Sequence, residues 1–140
     1  MNYRGYLVDE EGNKFYPKAY DSGWKTATLT NNFKPYDNDD DKIPQYRKSG
    51  NIVEIKGEVS PKETIKGSND EYTIFTFSDG FRPDTSVTKL CQGSGSNKWL
   101  LTIRNNGDVN FSRYGTNSLA DASSSAWLVF DCVFFCKLIE

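Results

Sequence analysis

Across residues 52–59, apolar and charged side chains alternate. Val53, Ile55 and Val59 fall on one side, and Glu54, Lys56 and Glu58 fall on the other. A period of two is the repeat of an extended chain, whereas a helix would scatter these residues around its circumference. The stretch is therefore a strand with one face on a core and the other in water. Gly57 sits on the apolar side. A glycine there either lets another part of the chain approach closely or marks a bulge.

The rest of the chain repeats this design at short intervals. Trp24 leads into a first strand at 25–29, and Asn31 with Asn32 reads as a turn. Residues 34–44 read as a loop in which Pro35 and Pro44 bracket Tyr36 and the acidic run Asp37, Asn38, Asp39, Asp40, Asp41. Residues 61–71 are polar around Gly67, Ser68 and Asn69 and read as an exposed connection. Alternation returns at 72–77, and Pro83 bars another central strand directly after it. A short strand at 87–91 and a flexible turn at 92–97 follow. Strands at 99–104 and 108–114 face each other across Asn105, Asn106 and Gly107, a hairpin turn. Residues 115–125 form a loop, and 127–139 close the domain. Ahead of all this, Tyr3, Tyr6 and Leu7, the turn from Asp9 to Asn13, and Lys14, Phe15, Tyr16 and Pro17 make a small hairpin within residues 1–20. No segment carries helical periodicity, so the fold is an all-β sandwich or barrel.

Composition narrows the function. A chain of 140 residues suits one domain with a core of its own, and 14 % aromatic residues offset a hydrophobic content of only 36 %. A net charge of −2 argues against a nucleic-acid partner. No apolar run has the length of a membrane span and no basic-then-apolar signal opens the chain, so neither a membrane partner nor a secretory route is expected. The complete lack of histidine removes serine–histidine and cysteine–histidine triads, histidine bases and nearly all catalytic zinc sites. No nucleophile elbow or phosphate loop is present, and the Gly93 and Gly95 run lacks the lysine and helix of one. Neither a catalytic residue nor a cofactor is expected, although a carboxylate pair for glycoside cleavage stays open because its spacing is three-dimensional. Cys91, Cys132 and Cys136 are an odd number without zinc spacing and read as reduced, buried thiols. Cys132 and Cys136 would stand about 13 Å apart along one strand, too far to bond.

The closing strand is apolar on both faces, with Val133 and Phe135 on one side, Phe130, Cys132, Phe134 and Cys136 on the other, and Asp131 as the interruption. Two readings stay open: a central strand covered by loops, or a strand with one face packed along a subunit axis.

Candidate binding residues come from the loops. Sugar rings stack their C–H faces on flat side chains, while their hydroxyls seek planar polar partners. Tyr36 with Asp37 and Asp39, and Tyr114 with Arg113 and Asn117, supply that mixture at strand ends. The competing reading of each tyrosine is a half-buried strand-end residue. Trp24, Trp99 and Trp127 begin alternating strands and read as core. Asp37, Asp39 and Asp41 have the spacing of calcium ligands, but Lys42 holds the sixth loop position and Lys48 the twelfth, so a solvated loop without a metal is expected. Arg47 and Arg82, at strand boundaries, read as caps or partners of nearby acids rather than as an anion fork.

The order of the framework residues adds a resemblance. Trp24; Tyr46, Arg47, Lys48 and Gly50; Gly57 and Val59; Ile74, Phe75 and Thr76; Gly80, Phe81, Arg82 and Pro83; Ile103, Gly107 and Val109; and Trp127 with Leu128 follow one another through roughly the last four-fifths of the chain. That series resembles the C-terminal head domains of receptor-binding and minor structural tail proteins of phages and prophages of Gram-positive bacteria. Cys132, Cys136 and the acidic loop before Ile43 depart from the pattern. The resemblance implies a jelly-roll-like or Greek-key antiparallel sandwich over 21–140, usually a homotrimer, behind a neck-like lead-in over 1–20. Such a lead-in belongs either to a longer protein or to a short reading frame beside one, and both stay open. The implied function is adhesion of a virion tail or baseplate, made in the host cytoplasm, to a cell-wall polysaccharide or teichoic-acid-like polymer, with other tail or baseplate proteins as partners. The alternatives are a structural module that trimerises or caps a tail fibre, and a carboxylate-based carbohydrate-active enzyme.

Overall fold

In the computed structural model, which describes residues 7–8, 10–12, 14–15, 20–37 and 39–137, the chain is built of short antiparallel strands. In chain order they are β1 (Leu7–Val8), β2 (Lys14–Phe15), β3 (Lys25–Thr26), β4 (Phe33–Pro35), β5 (Gln45–Ser49), β6 (Ile52–Lys56) and β7 (Glu58–Pro61). After them come β8 (Tyr72–Thr76), β9 (Val87–Gln92), β10 (Lys98–Ile103), β11 (Asp108–Gly115), β12 (Leu128–Val129) and β13 (Cys132–Phe135). β1 and β2 form the expected N-terminal hairpin, with Leu7 opposite Phe15. The expectations at Tyr3, Tyr6, Asp9, Asn13, Tyr16, Pro17 and Asn38, and for the closing strand beyond Lys137, lie outside the described residues.

One layer has the order β8-β11-β10-β9. Three hairpin-linked strands with the preceding strand folded back beside the last of them make a Greek key. The facing layer consists of β13-β6-β5-β3 and β12-β7-β4. Its two parts share a pair of long strands. β7 continues β6 and β13 continues β12 in a single register: Leu128 lies opposite Val59, the Phe130 N–H donates to the Gly57 carbonyl at 3.0 Å, and Phe135 lies opposite Ile52. On the other flank the neighbour changes, because β6 is bonded to β5 and β7 to β4. The architecture is thus the expected jelly-roll-like antiparallel sandwich.

That change of neighbour falls at Gly57. Its φ is +151°, and a Cβ there would stand 2.5 Å from the Cα of Pro44. The chain returning from the 36–44 loop passes directly over it. Since the register with β12 and β13 runs through unshifted, the close-approach reading of Gly57 holds and the bulge reading does not.

Aromatic residues fill the space between the layers. Trp99, Leu101 and Ile103 of β10 and Val109 and Phe111 of β11 are buried against Val53, Ile55, Val59, Leu128 and Phe130. Ring pairs cross the gap at Phe75–Phe130 (6.3 Å), Trp99–Phe130 (6.5 Å) and Phe77–Phe134 (5.7 Å). Each such side chain contributes about 1.5–3 kcal/mol by leaving water. Ile74 and Phe75 are both buried because β8 is irregular there: Val109 lies opposite Phe75 and Asn110 opposite Thr73, which skips Ile74.

Several sequence expectations change. Only Trp99 is a core tryptophan, fully buried with its indole N–H on the Gln92 carbonyl at 2.9 Å. Trp24 remains 39 % exposed, because it precedes an edge strand, and the Lys56 ammonium lies 4.4 Å from its ring centroid. Trp127 is half-buried with its indole N–H on the Glu58 carboxylate. The expected loop from residue 34 begins instead with β4, anchored by the buried Phe33, and the strand expected at 25–29 shortens to β3. The closing strand lies at a sheet edge, with Cys132 and Phe134 inside and Val133 and Phe135 outside, so it is not a covered central strand. All three thiols are free and buried. Burial pushes Cys91 up to about 12 and raises Cys132 as well.

Candidate functional site

The register between β10 and β11 slips at one point. Lys98 lies opposite Gly115 and Leu100 opposite Ser112, so Arg113 and Tyr114 together face Trp99. Arg113 takes up the extra residue at φ +55°, the positive-φ non-glycine among the described residues. A left-handed backbone costs a residue with a Cβ roughly 1–2 kcal/mol. The bulge also reverses which side chain points where. Counting alternately from the inward Phe111 would put Arg113 inside and Tyr114 outside; instead Arg113 is exposed and Tyr114 is 5 % exposed.

The Tyr114 ring packs 6.2 Å from Phe111 and closes over Gly93, where a Cβ would meet its Cε2 at 2.6 Å. It is thus a largely buried strand-end residue, the competing reading of the sequence, which still borders the cavity along the 113–119 turn. The Arg113 guanidinium makes no hydrogen bond or ion pair with another described residue. Two cavities open beside it. One, of about 200 Å³, runs along the 113–119 turn and includes Thr116 and Asn117. That turn is fixed by the Ala120 N–H on the Tyr114 carbonyl at 2.8 Å. The other, of about 190 Å³, lies on the outer face of β9, β10 and β11 over Thr88, Thr102 and Ser112, with Arg104 and Glu71 at its rim.

Small side chains keep this outer face concave, and a polar network holds its rim. Thr73 donates to Asn110 at 2.7 Å, Asn110 to Glu71 at 3.3 Å, and Arg104 to Glu71 at 2.5 Å. The Arg104 bond holds the Glu71 carboxyl below its ordinary range, helped by Asn110 and by the nearby charge of Arg113. Arg113 is thus a cation without a hydrogen bond or ion pair among the described residues. It stands beside a cavity that it shares with Thr88, Leu100, Arg104 and the Glu71 carboxylate, and its exposed guanidinium is suited to receiving a polar or anionic group.

Tyr36, Asp37 and Asp39 lie apart from these cavities, neither of which they line. Tyr36 is 44 % exposed, and its N–H donates to the Glu58 carbonyl at 3.0 Å. The neighbouring carboxylates are engaged in successive turns: Asp37 accepts from the Asp39 N–H and Asp39 from the Asp41 N–H, each at 3.1 Å. Lys42 pairs with Asp37 at 3.4 Å, which keeps its ammonium more firmly protonated. Arg47 pairs with Asp21, while Arg82 donates to the Phe77 carbonyl at 3.0 Å and meets Asp79 at 2.7 Å, the structural roles expected of both.

A larger groove was not legible in the sequence. It encloses about 540 Å³ between the Asn31 and Asn32 turn and the 62–66 segment, with Tyr72 on its wall. Its walls lie about thirty residues apart in the chain, and the polar composition of 61–71 was the lone hint of it.

Fold and surface together define a β-sandwich whose open polar concavities gather around its loops. No family model matches the chain, and no curated protein matches its sequence. Among solved structures it is similar to the crystal structure of the receptor binding protein (gp15) of Listeria phage PSA, with 18 % identity and a TM-score of 0.48 over 80 % of this chain. The match spans 66 % of the length of that protein. At this identity and score the likeness decides nothing about function.

Proposed function

We propose that this chain is a tail-associated receptor-binding domain of a phage or prophage, which adheres to a host cell-surface saccharide without chemical change. The observation that carries this reading is Arg113: a backbone held in an unfavourable conformation, an unpaired guanidinium and cavities on either side of it. Strain of this kind persists where the surrounding structure imposes it, and it clusters at ligand sites. The ordered framework motifs support the same reading. In this proposal residues 1–20 are the lead-in and 21–140 the head, Arg113 and Asn117 hold hydroxyl or anionic groups, and Tyr36 with Asp37 and Asp39 forms a separate contact. Single contacts with sugars are weak and become firm adhesion through several copies on a virion tail or baseplate, beside other tail proteins. The ligand is a cell-wall polysaccharide or teichoic-acid-like polymer. Whole Gram-positive cells should retain the purified chain, and Arg113→Ala with Asn117→Ala should abolish retention. Retention that both variants leave intact would refute the site, and release of reducing sugar would refute binding without catalysis.

A second reading, a structural module that assembles tail fibres without touching a receptor, draws on one observation. Val133 and Phe135 are 62 % and 69 % exposed, and Ile52, opposite Phe135, is 40 % exposed. Such an apolar strip suits contact between copies, and a homotrimer is the assembly we propose for either reading. A monomer in sedimentation at micromolar concentration would remove it.

A further inference from the structure

We propose that the groove between Asn32 and Lys62 is a second binding subsite, and that with the Arg113 cavities it holds an extended anionic polysaccharide chain. The inference rests on the adhesion reading and adds to it the charge and length of the ligand.

The groove is built before any ligand arrives. Thr30 is tied to β8 by its N–H on the Ile74 carbonyl (2.9 Å) and its hydroxyl on the Thr73 carbonyl (2.7 Å). The Lys62 N–H donates to the Asn32 carbonyl at 2.9 Å, and Ile65 and Ala122 exchange both backbone bonds at 2.8 Å. Both walls are therefore fixed, which lowers the ordering cost of binding. At about 540 Å³ the space lies within the range of ordinary ligand sites, roughly 300–1,000 Å³. Ile65, 9 % exposed, and the half-buried Tyr72 give it an apolar patch for the C–H face of a sugar ring.

The polar lining sets the ligand class. The side chains of Asn31, Asn32, Lys62, Glu63 and Lys66 make no hydrogen bond or ion pair with another described residue. Two carboxamides suit hydroxyls, but a neutral sugar gives no role to two ammonium groups against one carboxylate. The excess of positive charge occurs on a chain of net charge −2 whose acidic run, Asp37 to Asp41, lines neither this groove nor the Arg113 cavities. Local and global charge thus differ in sign.

The two regions adjoin. A crevice too narrow for a ligand is lined by Lys66 and Tyr72 of the groove and by Arg113 and Tyr114 of the bulge, with the acidic Asp70 also on its wall. Three cations thus stand against the two carboxylates of Glu63 and Asp70. Lys62, Lys66 and Arg113 therefore follow one another along a single surface path. A ligand matching that path carries an anion on successive units, either a carboxylate or a phosphate, both of which lysine and arginine receive.

The test uses the full chain and three oligomer series: oligogalacturonate for carboxylate, oligo(glycerol phosphate) for phosphate, and maltooligosaccharide as the neutral control. Amide shifts are read by NMR and affinities by calorimetry. The expected result is that one anionic hexamer shifts amides at 31–32, 62–66 and 113–117 together. It binds about tenfold tighter than its dimer, and Lys62→Gln with Lys66→Gln removes that gain. The series that binds identifies the anion. Equal affinity for dimer and hexamer, shifts confined to 113–117, equal binding of the neutral series, or no binding of either anionic hexamer would each overturn the inference. Whole cells separate it from the reading beneath it. If they retain the double lysine variant as well as the unaltered chain, the groove is not used and adhesion stands. If they retain neither, the adhesion reading itself fails.

Discussion

Replacing Arg113 by glycine should stabilise this protein relative to replacing it by alanine. Glycine is normally the worse choice within a strand, by about 0.5–1 kcal/mol, because it adds freedom to the unfolded chain. At φ +55° the order inverts. Alanine, like arginine, bears the left-handed penalty of roughly 1–2 kcal/mol, and glycine does not. Subtracting the glycine entropy leaves Arg113→Gly ahead of Arg113→Ala by up to about 1.5 kcal/mol. Arg113 is exposed, so both variants lose the same solvated side chain and the comparison isolates the backbone. Glu54, exposed in the middle of β6 and regular in its pairing, serves as the control, and there glycine should trail alanine by about 0.5–1 kcal/mol. Urea denaturation with matched slopes reads both pairs, and in thermal melts each kcal/mol appears as about 3–5 °C for a chain of this size. The same sign at both positions would refute strain at Arg113. A glycine variant that gains stability and loses cell retention would show that the conformation is maintained for binding.

Three further outcomes follow from the packing and the ionisable groups. Gly57→Ala forces a Cβ to 2.5 Å from the Pro44 backbone and should cost about 2 kcal/mol or more, read by urea denaturation. Glu71, held low chiefly by Arg104, contributes stability that is complete above the ordinary carboxylate range and is lost as pH falls through its lower folded value. Glu71→Gln should flatten that acid limb in a pH series of melts, by no more than a fraction of a kcal/mol because the pair is partly exposed. Cys91, at about 12 when folded against roughly 8.5 in an open chain, should resist thiol reagents in the native protein and react on unfolding. Its contribution is complete below the unfolded value and is lost as pH rises from there through the folded one, so Cys91→Ala should lessen the alkaline loss of stability.

The layers were legible because burial writes itself into period two. Val53, Ile55, Val59, Leu101 and Ile103 all point inward as the alternation requires. What alternation cannot show is a place where the count slips. The bulge opposite Trp99 turns Tyr114 inward and Arg113 outward, a reversal that a regular count from Phe111 does not show. β4 escaped notice because its Phe33, Lys34 and Pro35 run too briefly to display a period. Trp24 and Trp127 misled because aromatic type speaks for burial on average, whereas an edge position decides it in a given fold. The groove was invisible for a different reason: its two walls come from separate segments that only the turn at Asn32 and the bond to Lys62 bring together.

The switch of neighbours at Gly57 has a consequence for how such a molecule can change. Both ends of the 36–44 loop are fastened to one residue, since the Tyr36 N–H reaches the Glu58 carbonyl at 3.0 Å and the Glu58 N–H reaches the Lys42 carbonyl at 2.9 Å. The loop leaves and rejoins the sheet through a single gate, and among the described residues between its ends none takes part in a strand ladder. Doubling its length would add only about 0.6 kcal/mol of closure entropy. A new surface can be grafted at that gate while every described strand keeps its partner, so the loop can vary in length and sequence without the scaffold being rebuilt.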